Sequence, residues 1–495
     1  MKNVAIANGV SLTPHARQPL GGGASSLQRV AEFARRLPGL EKVLFLLPEG
    51  VEAPPGSAAV RQSRWSLQEV LARLREEAQG CDQVFYFYAD CPFLDPGLAA
   101  RMLENHRRYY ADYTFADGYP YGLAPEILKP QLLPALLDLA GEAKQKPERG
   151  SIFDLVKKDI NAFDIETEIS PIDLRMLRVS LCADSRRNFL LLQRILEHGG
   201  EGAEGVCRVL QDRAEILRTL PAYFSVQIVE GCPQLCSYCP YPRFRIKAPG
   251  KQAEMPLERF QALLAQVKSF CGDAVIGVSL WGEPSYHSRI GELVQAVLAE
   301  EGLQLVIETS GLGWSRETLA RLSGSQAKRP DWIVSLDAET QGLYRALRGE
   351  GFEEARQTAR TLLEYAPGRV HLQAVRMKDN EEELESFYRN WKKLTEQVII
   401  QKYDYFCGLL EERKVTDLSP LKRLPCWHLK RDVPILIDGT VPLCREDVRG
   451  APLGNIFNDG LEAVWQRGQD PYLAHLRAEY PEICARCDEY YTYNF

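Results

Sequence analysis

Cys232-Pro-Gln-Leu-Cys236-Ser-Tyr-Cys239 follows the apolar stretch Ser225-Val-Gln-Ile-Val229 and a glycine at position 231. The stretch reads as a strand, and Gly231 as the turn that ends it. Three thiolates at this spacing can converge from one loop on a single [4Fe–4S] cubane. Such a cluster has four irons, so three protein ligands leave one iron open to a substrate or cofactor. That is a catalytic arrangement. Two plainer readings use the same residues: a zinc knot with a distant fourth ligand, or three unrelated buried cysteines.

The chain around this loop has 495 residues, enough for two to four domains. Hydrophobic residues make up 45% and charged residues 26%, a globular balance that excludes wholesale disorder. Lys and Arg total 60 against 67 Asp and Glu, a net charge of −7. This argues against a nucleic-acid coat or a binder of anionic membranes, so a nucleic-acid partner is not expected. Thirteen cysteines are too few for a disulfide scaffold, and the number is odd. Reduced cytoplasmic thiols, some of them metal ligands, are expected. The N-terminal stretch through Leu20 reads as a strand and a loop rather than a signal peptide, and no run of 18 apolar residues suggests a membrane span.

Three zones differ in texture. Residues 1–220 alternate short apolar runs (4–7, 42–47, 83–89) with amphipathic helical stretches such as 26–37. That rhythm predicts βαβ units and a mostly parallel sheet. Residues 221–410 repeat it, with strand candidates at 225–229, 274–280, 305–308, 332–336, 370–375 and 398–403. Six β/α units in this length suit a partial (β/α)6 barrel. The glycine-rich stretch 199–205 is the expected linker between these zones. Residues 411–495 are loop-rich and carry Cys426, Cys444, Cys484 and Cys487. A region so small often needs a metal staple. Its Cys484-Ala-Arg-Cys487 pair, with two further cysteines, is a strong ligand signal. Four thiolates make a closed site for zinc or for a cluster.

C-x3-C-x-aromatic-C after the first strand of a β/α barrel, with Tyr238 in the aromatic slot, resembles the radical S-adenosylmethionine (SAM) enzymes. Trp281-Gly282-Glu283-Pro284 is similar to that family's G-G-E-P segment, with Trp for the first Gly. The resemblance implies that Cys232, Cys236 and Cys239 hold the SAM-binding [4Fe–4S] cluster and that Gly282, Glu283 and Pro284 receive the methionine ammonium. Residues 307–311, 334–337 and 347–349 resemble later family segments, and there Ser335 and Arg348 would hold the cofactor's carboxylate. An Arg fork suits a carboxylate. The C…G-x4-C…C-x2-C pattern, with Gly439 five residues before Cys444, resembles the SPASM/Twitch extension, and residues 376–391 are similar to SPASM-type enzymes as well. Full SPASM domains carry seven cysteines. Four in the pattern imply one auxiliary [4Fe–4S] cluster. Cys81, Cys91, Cys182 and Cys207 read as core thiols. Cys407, beside Tyr405 and Phe406, reads either as a core thiol or as a hydrogen donor to a substrate radical.

The first zone resembles cytidylyltransferase-like nucleotidyltransferases at 5–9, 17–20 and 26–30. Asp90, in Phe87-Tyr-Ala-Asp90-Cys-Pro, and Asp184 resemble the family's two Mg²⁺ carboxylates. Gln18 stands where that family has a Lys, and the loop 8–15 lacks its basic, Gly-rich character. The order of the three zones resembles the spiro-SPASM proteins.

The sequence therefore predicts an α/β chain that cleaves SAM reductively to a 5′-deoxyadenosyl radical and abstracts hydrogen from a peptide or sugar-like substrate. An auxiliary cluster would transfer electrons, and a flavodoxin- or ferredoxin-like protein would supply them. Two other classes use the same residues. One is a Mg²⁺-dependent nucleotidyltransferase built on Arg17, Asp90 and Asp184, with redox-sensing C-terminal zones. The other is a zinc-binding interaction protein.

Overall fold

A computed structural model describes residues 2–141, 145–241, 253–278, 280–323, 329–447 and 449–492. They divide into two compact units, Met1–Thr219 and Leu220–Phe495.

Seven strands form the sheet of the first unit: β1 (Asn3–Asn8), β2 (Leu40–Pro48), β3 (Ala58–Gln62), β4 (Gln83–Tyr88), β5 (Tyr113–Asp117), β6 (Glu126–Leu128) and β7 (Ile165–Ile169). Their order is β3-β2-β1-β4-β6-β5-β7. Only β6 runs against its neighbours. Central β1 is buried on both faces, as a parallel strand covered by helices must be. Helix Ser26–Arg35 begins at a capping box: Ser25 Oγ accepts from Gln28 N at 3.3 Å, and Gln28 Oε1 accepts from Ser25 N at 2.8 Å. It buries Leu27, Val30, Ala31 and Ala34, one helical face. The stretch 199–205 is not the linker. It leads into helix Gly202–Asp212, which buries Ala203, Val206, Cys207 and Leu210 inside the first unit. Apolar spacing outweighs the glycines there.

The second unit holds β8 (Tyr223–Val226), β9 (Ala274–Gly277), β10 (Leu303–Thr309), β11 (Asp331–Ser335), β12 (Val370–Arg376), β13 (Val398–Lys402) and β14 (Asp432–Ile435). All pairings are parallel, in the order β13-β12-β11-β10-β9-β8-β14. The six expected strands form in sequence order. Ser279, within the predicted strand 274–280, lies outside the described residues. The seventh strand is supplied by the cysteine-rich C-terminal stretch, which pairs with β8. Strand alternation sorts the residues. Leu305 and Ile307 of β10 enter the core that packs on the helices. Val306 and Glu308 face a cavity of about 370 Å³ that also meets residues of the other six strands. The sheet therefore wraps around a lumen. Among the described residues, no helix is long and apolar enough to cross a membrane.

Candidate functional site

The cysteine loop leaves β8 and hangs on the C-terminal end of helix Gln341–Arg348. Ser237 N donates to Leu347 O at 2.8 Å, and Leu235 N to Arg348 O at 3.4 Å. These are helix-end carbonyls, which lack partners within their own helix. Arg348 is 4% exposed and Asp337 fully buried, and the two form an ion pair. Arg348 Nε donates to Gln234 Oε1 at 2.9 Å and Nη1 to Tyr238 Oη at 2.6 Å. Tyr238 Oη donates in turn to Asp337. Gln234 Nε2 reaches Tyr344 Oη at 2.7 Å. Asp337 Oδ1 accepts from Val375 N at 2.7 Å, and Asn380 Nδ2 holds the Asp337 carbonyl at 2.8 Å. One buried pair thus ties the loop to the ends of β11 and β12. Gln234, Tyr344, Asp337 and Asn380 were given no role in the sequence reading. Gln234, Asp337 and Asn380 sit inside quoted motifs and Tyr344 three residues before one, but only the fold reveals their partners.

Cys232, Cys236 and Cys239 face a pocket that Gly282, Glu283, Ser335 and Arg348 also line. Burial pushes the Cys232 and Cys239 thiols up to about 12 and raises Cys236 as well. Gly282 has φ +87°, and a Cβ there would lie 2.3 Å from the Val229 carbonyl oxygen, so only glycine fits. Glu283 is buried, and burial raises its pKa against the pull of its hydrogen bonds. Its carboxylate accepts from Thr309 Oγ1 at 2.5 Å, from Ser310 N at 2.8 Å and from Ser285 N at 3.4 Å. Pro284 opens the short turn behind it. Thr309 and Ser335 end β10 and β11, so the pocket lies at the C-terminal edge of the sheet.

This pocket and the lumen share Leu280, Glu308, Gln373, Gln401 and Arg445 in their walls. Gln373 Nε2 bridges Glu308 Oε1 at 3.2 Å and Ser335 Oγ at 3.3 Å. Glu308 is exposed to the cavity although it lies deep in the molecule. Burial raises its pKa, while Arg445 and Gln373 oppose the rise. Arg445 Nη2 pairs with Asp404 at 2.9 Å.

The C-terminal cysteines come from three short elements. Cys426 caps helix Trp427–Arg431, Cys444 follows the two-residue strand Thr440–Val441, and Cys484 and Cys487 flank the end of helix Glu482–Arg486. Burial pushes Cys484 up to about 12 and holds Cys426 and Cys444 well above the usual thiol range. Cys444 is raised further by Glu446, Cys426 and Cys484. Four soft thiols within electrostatic reach suit a cluster or zinc. Among the described residues, the groups of three whose ligand atoms close to within 4.8 Å of one another lie elsewhere: Asp90, Cys91 and Cys182, and Asp404, Asp488 and Glu489.

The first unit brings Asp90 and Asp184 together on one side chain, Arg149. Arg149 Nη2 pairs with Asp90 and lies 3.4 Å from Asp184 Oδ2. Its guanidinium stacks 5.0 Å from the Tyr88 ring. The expected Mg²⁺ is not supported, because a fixed cation already spans both carboxylates. Arg17 stands exposed on the turn Pro14–Arg17. Cys91, Cys182 and Cys207 are core residues, and Cys81 is half-buried.

Comparison with known proteins defines the class. The radical SAM superfamily profile matches residues 226–390, and the SPASM iron–sulfur cluster-binding domain matches 426–488. A Treponema pallidum (strain Nichols) protein, described as uncharacterized, is 42% identical over 359 residues, 70% of this chain and 98% of that one. Streptococcus suis SuiB bound to its precursor peptide SuiA aligns at 17% identity and TM-score 0.44, covering 72% of this chain and 86% of SuiB. A cytidylyltransferase from Leptospira borgpetersenii aligns at 16% identity and TM-score 0.36, covering 43% and 95%. The chain belongs to the radical SAM superfamily and carries a SPASM domain. It is a radical SAM enzyme that uses SAM and [4Fe–4S] clusters.

The buried pair generates a stability prediction. Asp337→Ala strands the Arg348 charge and should cost about 3–5 kcal/mol, read from the denaturant midpoint. Asp337→Ala/Arg348→Met, which removes both charges, should recover most of that loss.

Proposed function

We propose that Cys232, Cys236 and Cys239 hold the SAM-cleaving [4Fe–4S] cluster and that the substrate lies in the lumen beyond it. The observation that carries this is the shared pocket: the three thiols, Glu283, Ser335 and Arg348 open on one space that runs into the lumen past Glu308 and Gln373. When bound, cluster and SAM together supply one electron and a radical that takes a hydrogen atom from substrate. Glu283 receives the methionine ammonium, its carboxylate aimed by Thr309 and Ser310. Ser335 and Arg348 take the carboxylate, Arg348 with one Nη already engaged by Asp337. Trp281, stacked 6.1 Å from Tyr241 and tilted against Phe406 at 5.8 Å, walls the pocket against water.

Glu308, Gln373, Gln401 and Arg445 offer hydrogen bonds and both signs of charge to the substrate. At about 370 Å³ the lumen suits a sugar-sized polar molecule or one polar side chain of a peptide. Cys426, Cys444, Cys484 and Cys487 hold the auxiliary cluster. With four protein thiols it leaves no open iron, so its role is electron transfer. A flavodoxin- or ferredoxin-like donor supplies electrons, in the cytoplasm where thiols stay reduced. We assign the cytidylyltransferase-like first unit a binding role rather than turnover, because Arg149 fills its cation place.

Anaerobic reconstitution tests this reading. Wild-type protein should bind about eight irons and Cys232→Ala/Cys236→Ala/Cys239→Ala about four, four per cluster. The variant should form no 5′-deoxyadenosine from SAM under dithionite. Zinc without iron in the wild type would overturn the assignment. Glu283→Gln keeps the three thiols and should keep all irons, yet bind SAM more than tenfold more weakly by equilibrium dialysis. A hydrogen bond to a charged group is worth about 1.5–3 kcal/mol, and about 1.4 is tenfold.

A further inference from the structure

Asp90 and Cys91 follow β4, and Cys182 lies in the loop before helix Arg186–Glu197. Hydrogen bonds close these two segments on each other. Ala183 N donates to Asp90 O at 2.9 Å, Leu181 N to Tyr121 O at 2.8 Å, and Thr13 Oγ1 to Ala183 O at 2.9 Å. Cys182 is therefore clamped on both sides. Its sulfur lies 3.3 Å from the Cys91 sulfur, and Cys91 Sγ lies 3.7 Å from Asp90 Oδ1. The three donor atoms all fall within 4.8 Å of one another, and Asp90, Cys91 and Cys182 are buried. Arg149 holds the other carboxylate oxygen of Asp90, so Oδ1 is left on the sulfur side. A glycine stands beside the Cys91 sulfur. Gly122 has φ +100°, and a Cβ there would lie 3.3 Å from that sulfur and 3.0 Å from the Leu181 carbonyl oxygen. Space next to the sulfur is thus kept free of a side chain.

Two sulfurs and one oxygen are a soft donor set, which magnesium avoids and zinc accepts. A tetrahedral zinc bonded to both sulfurs at about 2.3 Å sets them about 3.8 Å apart, so the pair opens by about half an ångström. A disulfide of about 2.05 Å would require more than twice that movement in the opposite direction, and has no use for the carboxylate. Two thiolates and the Asp90 carboxylate together balance a zinc ion and the Arg149 guanidinium. Asp184, the second partner of Arg149, is only half-buried. We propose that Asp90, Cys91 and Cys182 form a zinc site, with the space beside Gly122 left to a water as fourth ligand. On binding, one oxygen and two sulfurs bond the ion, the two thiol protons pass to solvent, and no electron moves. The ion pins the end of β4 to the loop that carries Cys182. Arg149 already supplies the outer contact that orients a ligating carboxylate. The inference is independent of the clusters in the second unit.

The test uses the full chain, with its clusters rebuilt anaerobically, dialysed against zinc; zinc and iron are read together. Wild type should hold about one zinc more per chain than Cys91→Ala/Cys182→Ala, at equal iron. Cys207→Ala, which removes a buried thiol of the same unit, should keep that zinc. Cys182→Ser changes the volume least and should bind zinc at least tenfold more weakly, by competition with a chromophoric chelator; loss of an outer contact alone costs about 10–100-fold. Equal zinc in wild type and the double variant overturns the proposal, as does loss of the zinc in Cys207→Ala. So does a peptide map of the anaerobically prepared protein, alkylated without reductant, that joins Cys91 to Cys182. If the double variant loses iron as well, Cys182→Ser decides, and an unchanged zinc affinity there overturns the proposal.

Discussion

The buried Arg348–Asp337 pair is the fastening on which the catalytic geometry depends. Taking two charges out of water costs several kcal/mol per ion, so such a pair persists only with further hydrogen bonds around it. Here those bonds run to Gln234, Tyr238 and Val375, which belong to the cysteine loop and the end of β12. A loop that brings three cysteines to one pocket gains little from packing. Its ligands are short side chains on irregular backbone. The ion pair supplies the fixed point that packing cannot, and helix-end carbonyls supply the second. Arg348 thus both lines the pocket of the three cysteines and anchors their loop.

Much of this was legible in the sequence, for a physical reason. Parallel strands buried on both faces give continuous apolar runs, so β1, β2 and β4 of the first sheet and β8 to β13 of the second stood out, while β3, β5, β6 and β7, short and half-buried, did not. Motif glycines were legible too: Gly282 is present because no side chain fits beside the Val229 carbonyl. What escaped were contacts between residues far apart in the chain. Asp337 meets Arg348 across 11 residues and Gln234 across 114 from Arg348, with no periodicity to announce either. Arg149 was equally hidden, 59 residues from Asp90. It inverts the reading of the first unit, since two carboxylates that resembled a metal site are already bridged by one guanidinium. The strand β14 was missed because Asp432–Ile435 is too short and too proline-marked to read as a strand alone.

β14 changes how the two cysteine sets relate. Because it pairs with β8, and the catalytic loop follows β8, the cysteine-rich stretch is built into the sheet rather than hung from it. His428 and Asp432 lie at that junction, 2.6 Å apart, and both border the lumen. The Asp432 carboxylate outweighs burial and holds His428 up to about 9, so a cation stands at the lumen wall across the neutral pH range. Arg445 adds a second cation there, paired with Asp404, and Lys402, paired with Asp488, stands in the wall of the cysteine pocket.

That charge distribution bears on what the site can do. Clusters ligated by thiolates carry net negative charge, and in a low-dielectric interior the negative charge must be balanced nearby. The cations beside the C-terminal cysteines are tethered by Asp404, Glu446, Asp488 and Glu489, so they cannot swing away to solvent. The surround of the C-terminal cysteines is therefore held in place by paired charges. The turn Phe406–Gly408 touches that surround on one side and the catalytic pocket on the other. Its left-handed backbone is kept by the hydrogen bonds of Phe406 N to Asp404 and of Tyr405 Oη to the Arg486 carbonyl, one on each side.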